Sequence, residues 1–240
     1  MMTPFEPFKR KEFTFGERHA WIFYPKGEPN GKMVLKTEYL AAFPFFDVAM
    51  LERGYHLIFI EHQNRWASDD EIEIMAEFVR HCAKELGTEE KCIFEGMSCG
   101  GLQATKLAEC YPELCAVLYL DAPVLNILSM AGLGECKHEA VEQFWREIVA
   151  TYDVDRSSIT AFRESPIDHM DVLIENNIPV YLLYGNADDV VLFAENGMIL
   201  EKFYRKHGGT IKVVSKSCMG HHPHCLEDPT PIIEFVEQFA

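Results

Sequence analysis

The sequence predicts an α/β fold, with a mostly parallel central sheet covered by helices on both faces. Three observations carry that expectation. Short apolar runs alternate with helix-length amphipathic segments, which implies parallel strands joined by helical crossovers. The runs are nearly continuous in apolar character, as in residues 55–60 (Tyr-His-Leu-Ile-Phe-Ile), the pattern of a strand buried on both faces. With 240 residues, 48% of them hydrophobic, the chain suits one domain with a large core.

The elements follow in order. Residues 12–16 and 19–24 read as a hairpin of aromatic-rich strands. A Gly- and Pro-rich turn, 25–31, leads to a short apolar strand, 33–35. Residues 43–53 read as a helix that Gly54 can end, and strand 55–60 follows. The next helix has the clearest signal. Ser68 and Glu71 stand in capping-box spacing, Met75, Phe78, Val79, Cys82 and Leu86 repeat at helical spacing, and Gly87 can close it. Strand 92–95, helix 102–110 and strand 116–120 continue the alternation, with Pro112 stopping the helix. It resumes with strand 180–184, helix 194–207, strand 211–214 and helix 231–239. Between them, residues 124–178 hold helical patches around Trp145 and no strong strand signal. We therefore expect one domain over 1–240, with a small helical lid inserted at about 124–178.

The formal net charge is −16, from 38 acidic and 22 basic residues. Nucleic acid and anionic membrane surfaces both need a basic face, so neither is an expected partner. No run reaches the roughly 18 apolar residues of a membrane span, and no apolar segment near residue 1 resembles a signal peptide. The eight cysteines are too sparse for a small disulfide scaffold, and Cys82, Cys92 and Cys110 sit in helical or strand patterns as free thiols do. A soluble, cytoplasmic protein is the expectation, with its oligomeric state left open.

The sharpest motif is Gly96-Met97-Ser98-Cys99-Gly100, followed by Gly101. It matches G-x-S-x-G with an apolar strand before it and a helix after it. In that context the turn is so tight that the serine is strained, its neighbours must be small, and its hydroxyl stands clear of the backbone. A serine hydroxyl needs a base, and the base an orienting acid. In such a fold they follow in the order Ser, Asp or Glu, His, on loops after later strands. The loops are Gly185-Asn186-Ala187-Asp188-Asp189-Val190-Val191 and Met219-Gly220-His221-His222-Pro223-His224.

With these residues in view, the chain resembles the α/β-hydrolase superfamily over nearly its whole length. It is most similar to a group of small, esterase-like bacterial serine hydrolases. The shared segments stand here as Gly96–Gly101, Asp121–Val124, Gly185–Val191 and Gly220–His224. The resemblance implies the α/β-hydrolase fold, acyl transfer to water, no cofactor, and Ser98, Asp188 and His221 as the triad. Asp188 occupies the fourth position from Gly185, where the superfamily places its acid; Asp189 is its rival should the turn differ by one residue. Leu192 stands where many relatives carry Pro, a departure that bears on this register. His221 directly follows Gly220, and His222 and His224 are read as structural.

An oxyanion hole takes two backbone N–H groups. The expected donors are Cys99, after the nucleophile, and Glu38, after Lys36-Thr37, which replace the common His-Gly pair. In the expected mechanism His221 takes the Ser98 proton as the hydroxyl attacks a carbonyl, Asp188 stabilises the imidazolium, and water then releases the acyl group. The substrate is a small acyl molecule, an ester first; amide, thioester and acyltransfer chemistry use the same triad. Two other classes stand beside this reading. Cys218, His221, His222, His224 and Cys225 are all metal-ligand types, although structural zinc sites usually draw on two segments. A hydrolase fold can also serve as a binding module without turnover. Leu125, Ile127, Leu128, Met130, Phe144 and Trp145 are candidates for the pocket or the lid core, and Phe43, Phe45 and Phe46 for the acyl side.

Overall fold

The computed structural model describes residues 4–240. Eight strands form one sheet: β1 (Arg10–Phe15), β2 (Arg18–Phe23), β3 (Met33–Lys36), β4 (His56–Ile60), β5 (Cys92–Met97), β6 (Cys115–Asp121), β7 (Val180–Gly185) and β8 (Ile211–Lys216). Their order across the sheet is β1-β2-β4-β3-β5-β6-β7-β8, with β1 and β2 antiparallel and every pairing from β4 to β8 parallel. The central strands bury both faces, and the two-residue alternation divides their side chains between two cores. Met33, Leu35, Phe94, Leu118, Leu120 and Leu182 face one cluster. Val34, Ile93, Val117, Tyr119, Tyr181 and Leu183 face the other.

Among the described residues, seven α-helices cover the sheet: α1 (Phe45–Glu52), α2 (Asp69–Leu86), α3 (Cys99–Cys110), α4 (Val141–Tyr152), α5 (Met170–Glu175), α6 (Gly197–His207) and α7 (Thr230–Val236). Side chains of α1 and α7 fill the second cluster; those of α2, α3 and α6 fill the first. Residues 124–178 carry α4, α5 and single-turn helices, and no strand. From β3 the chain steps to β4 on one side, and then returns to place β5 on the other. The carboxyl ends of β3 and β5 thus form a topological switch point, where a crevice opens in an α/β sheet.

Local differences from the sequence expectation have identifiable causes. The helix expected from Leu102 begins at Cys99, because the turn before it is the single residue Ser98 at φ 55°. The helix expected over 194–207 breaks at Asn196, whose Oδ1 accepts the N–H groups of Leu125 (2.8 Å) and Asn126 (2.9 Å) while its amide donates to the Leu192 carbonyl. That side chain anchors the start of the 124–178 segment instead of extending the helix. The last helix ends at Val236, before the expected 239.

The capping box expected from Ser68 and Glu71 does not form, and the Ser68 hydroxyl instead accepts from Asn64 (3.2 Å). Glu71 turns inward, accepting from Arg18, from the Gln63 N–H (3.2 Å) and from His62 Nδ1 (3.1 Å). Burial alone would raise its carboxyl; the hydrogen bonds from His62 and Arg18 and their charges hold it below its ordinary value of 4.5. A carboxyl depressed in the folded state contributes stability above its unfolded pKa, and that contribution is lost as pH falls through the folded value. Glu71→Gln is therefore expected to cost about 2 kcal/mol at neutral pH. The difference from the parent protein should shrink below pH 4.5 in denaturant melts run across the acid range.

Candidate active site

The site grows from the tight turn between β5 and α3. Ser98 takes φ 55° and ψ −123°, a conformation that L-residues rarely hold. Its N–H donates to the Asp121 carbonyl (3.0 Å), and its carbonyl accepts from Gly101 (3.0 Å) and Val124 (2.9 Å). Strand β6 thus clamps the turn from one side. Small neighbours are a steric necessity. A Cβ on Gly96 would lie 2.5 Å from the Gly100 carbonyl oxygen, and one on Gly101 would collide with Pro123. One on Gly100 would come within 2.9 Å of the Glu38 Cβ.

Strands β7 and β8 lead to the two loops that approach this turn. Gly185 ends β7 so close to the Met219 and Gly220 carbonyls that no side chain fits there. This brings the loop after β7 against the loop after β8. There His221 Nδ1 lies 2.8 Å from Asp188 Oδ2, and His221 Nε2 lies 3.0 Å from Ser98 Oγ. A carboxylate only accepts, so Nδ1 carries the proton and Nε2 is free to accept from the serine hydroxyl. The second Asp188 oxygen accepts the N–H groups of Val190 and Val191, both at 2.9 Å. Burial alone would raise the Asp188 carboxyl; the hydrogen bond and charge of His221, with the Val191 and Val190 donors, more than offset it and hold it below its ordinary value. Asp189, the neighbour in the same loop, is exposed.

Asp188→Asn should keep the geometry but leave His221 in the wrong tautomer, lowering kcat by about 10⁴-fold. Asp189→Asn should stay within about twofold of the parent, as a solvent-facing change does. Steady-state kinetics on the two variants side by side separate the two loop acids.

Glu38 lies against the start of α3, beside Gly100. Thr37 ties the loop after β3 to the start of α3, its Oγ1 lying 2.7 Å from the Gly100 carbonyl and 3.0 Å from the Glu95 carbonyl. The Glu38 carboxylate is occupied by Gln103 (3.1 Å) and the Tyr39 N–H (3.4 Å). Cys99 opens α3, so its N–H has no intrahelical acceptor. Burial pushes the Cys99 thiol up to about 11, so it stays protonated and offers no competing nucleophile at neutral pH.

A cavity of about 260 Å³ opens over Ser98, walled by Tyr39, Ala42, Phe43, Met97, Phe144, Val190 and the rings of His221, His222 and His224. Of the residues proposed from sequence as its lining, Phe43 and Phe144 take part. Leu125, Ile127 and Met130 are at most 1% exposed and pack in the core, as does Phe46. Phe45 lies exposed on α1, Leu128 is packed half-buried on the core, and Trp145 stacks with Arg156. Phe144 is brought over the cavity by α4. Glu147 of that helix accepts two hydrogen bonds from Arg65 (both 2.9 Å) and one from Trp66 Nε1 (2.8 Å).

Supports beneath the site escaped the sequence reading. His62 Nε2 lies 2.5 Å from the Thr37 carbonyl, which joins the Glu71 cluster to the β3 loop. Lys36, 1% exposed, donates to Asp47 (2.5 Å), to Glu95 (3.3 Å) and to the Ala42 carbonyl (3.2 Å). Burial, then the Asp47 charge, holds the Glu95 carboxyl well above its usual range, so it is the neutral member. For Lys36, burial works to lower the pKa, and the Asp47 charge with the hydrogen bonds to Asp47 and Glu95 outweighs it and raises it. The signal available in the sequence was a lysine ending an apolar strand. All eight cysteines are free thiols, and Cys110 and Cys218 are exposed. No described helix is long and apolar enough to cross a membrane.

A mostly parallel eight-stranded sheet with a strained serine at the tip of β5 defines an α/β-hydrolase fold. Residues 46–234 match the prolyl oligopeptidase family, and the chain belongs to that family of serine peptidases. Over 97% of its length it superposes on 42% of the acylaminoacyl peptidase of Pyrococcus horikoshii, with a TM-score of 0.74 and 13% identity. Over 96% it superposes on 39% of a puromycin-hydrolyzing peptidase of Mycobacterium tuberculosis, with a TM-score of 0.71 and 16% identity. The chain thus spans about two fifths of the length of these proteins, and at such identities the likeness is one of fold. Comparison with curated proteins gives no match.

Proposed function

We propose that this chain is a serine hydrolase that cleaves a carboxylic ester or related acyl bond through an acyl-enzyme on Ser98. The observation that carries the reading is the continuous hydrogen-bonded line from Asp188 through His221 to Ser98, at 2.8 and 3.0 Å. His221 accepts the serine proton as Oγ attacks the carbonyl, and Asp188 stabilises the imidazolium. The N–H groups of Cys99 and Glu38 hold the oxyanion, aided by the positive end of α3. His221 then protonates the leaving group, and a water activated by the same imidazole frees the acid. The cavity is small and walled by aromatic and aliphatic side chains, which suits a short apolar acyl group.

A peptide or acylaminoacyl bond is the second reading, favoured by the match to the prolyl oligopeptidase family. Amide cleavage differs in needing prompt protonation of a poor leaving group, which the same His221 supplies. The test is fluorophosphonate treatment with intact-mass readout, followed by matched p-nitrophenyl esters and aminoacyl anilides of the same acyl groups. One adduct and a kcat/KM favouring the esters supports the first reading, and an anilide preference supports the second. A folded protein that takes no adduct overturns both.

A further inference from the structure

Three imidazoles meet at the cavity mouth, and the hydrolytic cycle uses only one of them. The rings of His221, His222 and His224 form an equilateral triangle, each pair of centroids 4.9 Å apart and each pair steeply inclined, at 60°, 84° and 88°. One ring nitrogen from each lies within 4.8 Å of the other two. His224 is 3% exposed, yet among the described residues neither of its ring nitrogens makes a hydrogen bond, Asp121 standing 3.4 Å from Nδ1. A buried imidazole that makes no hydrogen bond carries an uncompensated desolvation cost, which a ligand in the triangle would relieve.

The surroundings match what a bound transition metal requires of its histidines. Such a ligand usually presents one nitrogen to the ion while a carboxylate stands behind the other. His221 has Asp188 at 2.8 Å from Nδ1, and His224 has Asp121 at 3.4 Å from Nδ1. His224 Nε2 then remains for a ligand, and His221 Nε2 takes the ion by giving up the hydrogen bond it accepts from Ser98. His222 is exposed and stacks on Phe43, so it is the ring free to adjust. Zinc–nitrogen bonds of about 2.0–2.1 Å place tetrahedral ligands about 3.3 Å apart, so the triangle must contract as the ion enters. Three nitrogen donors select a transition ion over magnesium or calcium, which take oxygen.

We propose that His221, His222 and His224 bind one divalent transition-metal ion, zinc by preference, and that the ion switches the nucleophile off. The second half rests on the reading of Ser98 and His221 as nucleophile and base. An ion held on His221 Nε2 occupies the lone pair that accepts the Ser98 proton, 3.0 Å away. Its fourth position faces the cavity and takes water. The site is inhibitory and reversible by a chelator.

The experiment has two independent readouts on the full chain at one fixed neutral pH. Zinc binding is measured by competition with a chromogenic indicator, and stoichiometry by native mass. Fluorophosphonate labelling is measured with zinc and with EDTA, each variant normalised to its own EDTA rate. We expect one zinc per chain, binding weakened at least about tenfold in His222→Ala, and labelling slowed at least tenfold by zinc in the parent protein only. His224→Gln should behave in the same way; should it fail to fold, the exposed His222 variant carries the test. The proposal is overturned by normal labelling with no bound zinc, by affinity unchanged in His222→Ala, or by bound zinc that leaves labelling untouched. If zinc binds and His222→Ala weakens it, but no labelling occurs even in EDTA, the metal site stands and the hydrolase reading fails.

Discussion

Ser98→Ala is expected to lower kcat toward ester substrates by about 10⁶-fold and to abolish the fluorophosphonate adduct. The fold should be untouched, with a thermal midpoint within a few degrees of the parent. Both expectations come from the same turn. The backbone at 98 is held at φ 55° by β6 and α3, through hydrogen bonds of its own N–H and carbonyl groups. Those bonds do not involve the side chain, and alanine meets the same backbone strain as serine. Only the Oγ is lost, and with it the acceptor of the acyl group. Turnover within tenfold of the parent would remove Ser98 as the nucleophile and leave His221 without its role. The two measurements, kcat and melting temperature, must be taken on the same preparation, since a misfolded variant would imitate the first result.

Lys36→Met is expected to destabilise the protein by about 3–5 kcal/mol, the usual cost of stranding a buried charge. Methionine matches the lysine stem in volume, so packing contributes little of this. What is left behind is Asp47, at 0% exposure, with its cation gone and Glu95 beside it. The double variant Lys36→Met with Asp47→Asn should recover much of the loss, because the charge is then removed with its partner. Labelling should slow as well, since Lys36 also holds the Ala42 carbonyl of the loop that bears Glu38. Urea melts on the single and double variants decide the point. A single variant as stable as the parent would mean that Asp47 does not depend on Lys36 for its compensation.

The fold was legible because its strands are buried on both faces and its helices on one, so each type leaves its own period in the chain. The α2 pattern of Met75, Phe78, Val79 and Cys82 is that record, and all four are fully buried. Ser98 was legible for a related reason: a turn that admits no side chain at 96, 100 or 101 writes glycine at all three. The loops after β7 and β8 could be read because chain order is a property of topology. What stayed hidden were side chains whose partners lie far along the chain. Glu71 reads as a cap residue until Arg18 is folded against it. Lys36 reads as the end of a strand until Asp47 and Glu95 arrive from other elements.

The sequence by itself determined the layered α/β architecture, the strained serine turn, and the order in which a nucleophile, an acid and a base could follow. These are local or periodic features, written within a few residues of where they act. The tertiary structure alone decided that Asp188 rather than Asp189 meets His221, and that Phe43 and Phe144 wall the cavity while Leu125 and Ile127 fill the core. It also decided that three histidines close into a triangle. Each of those outcomes depends on the direction of a side chain relative to an element distant in sequence. A one-residue shift in a loop reverses such a direction without changing any local pattern.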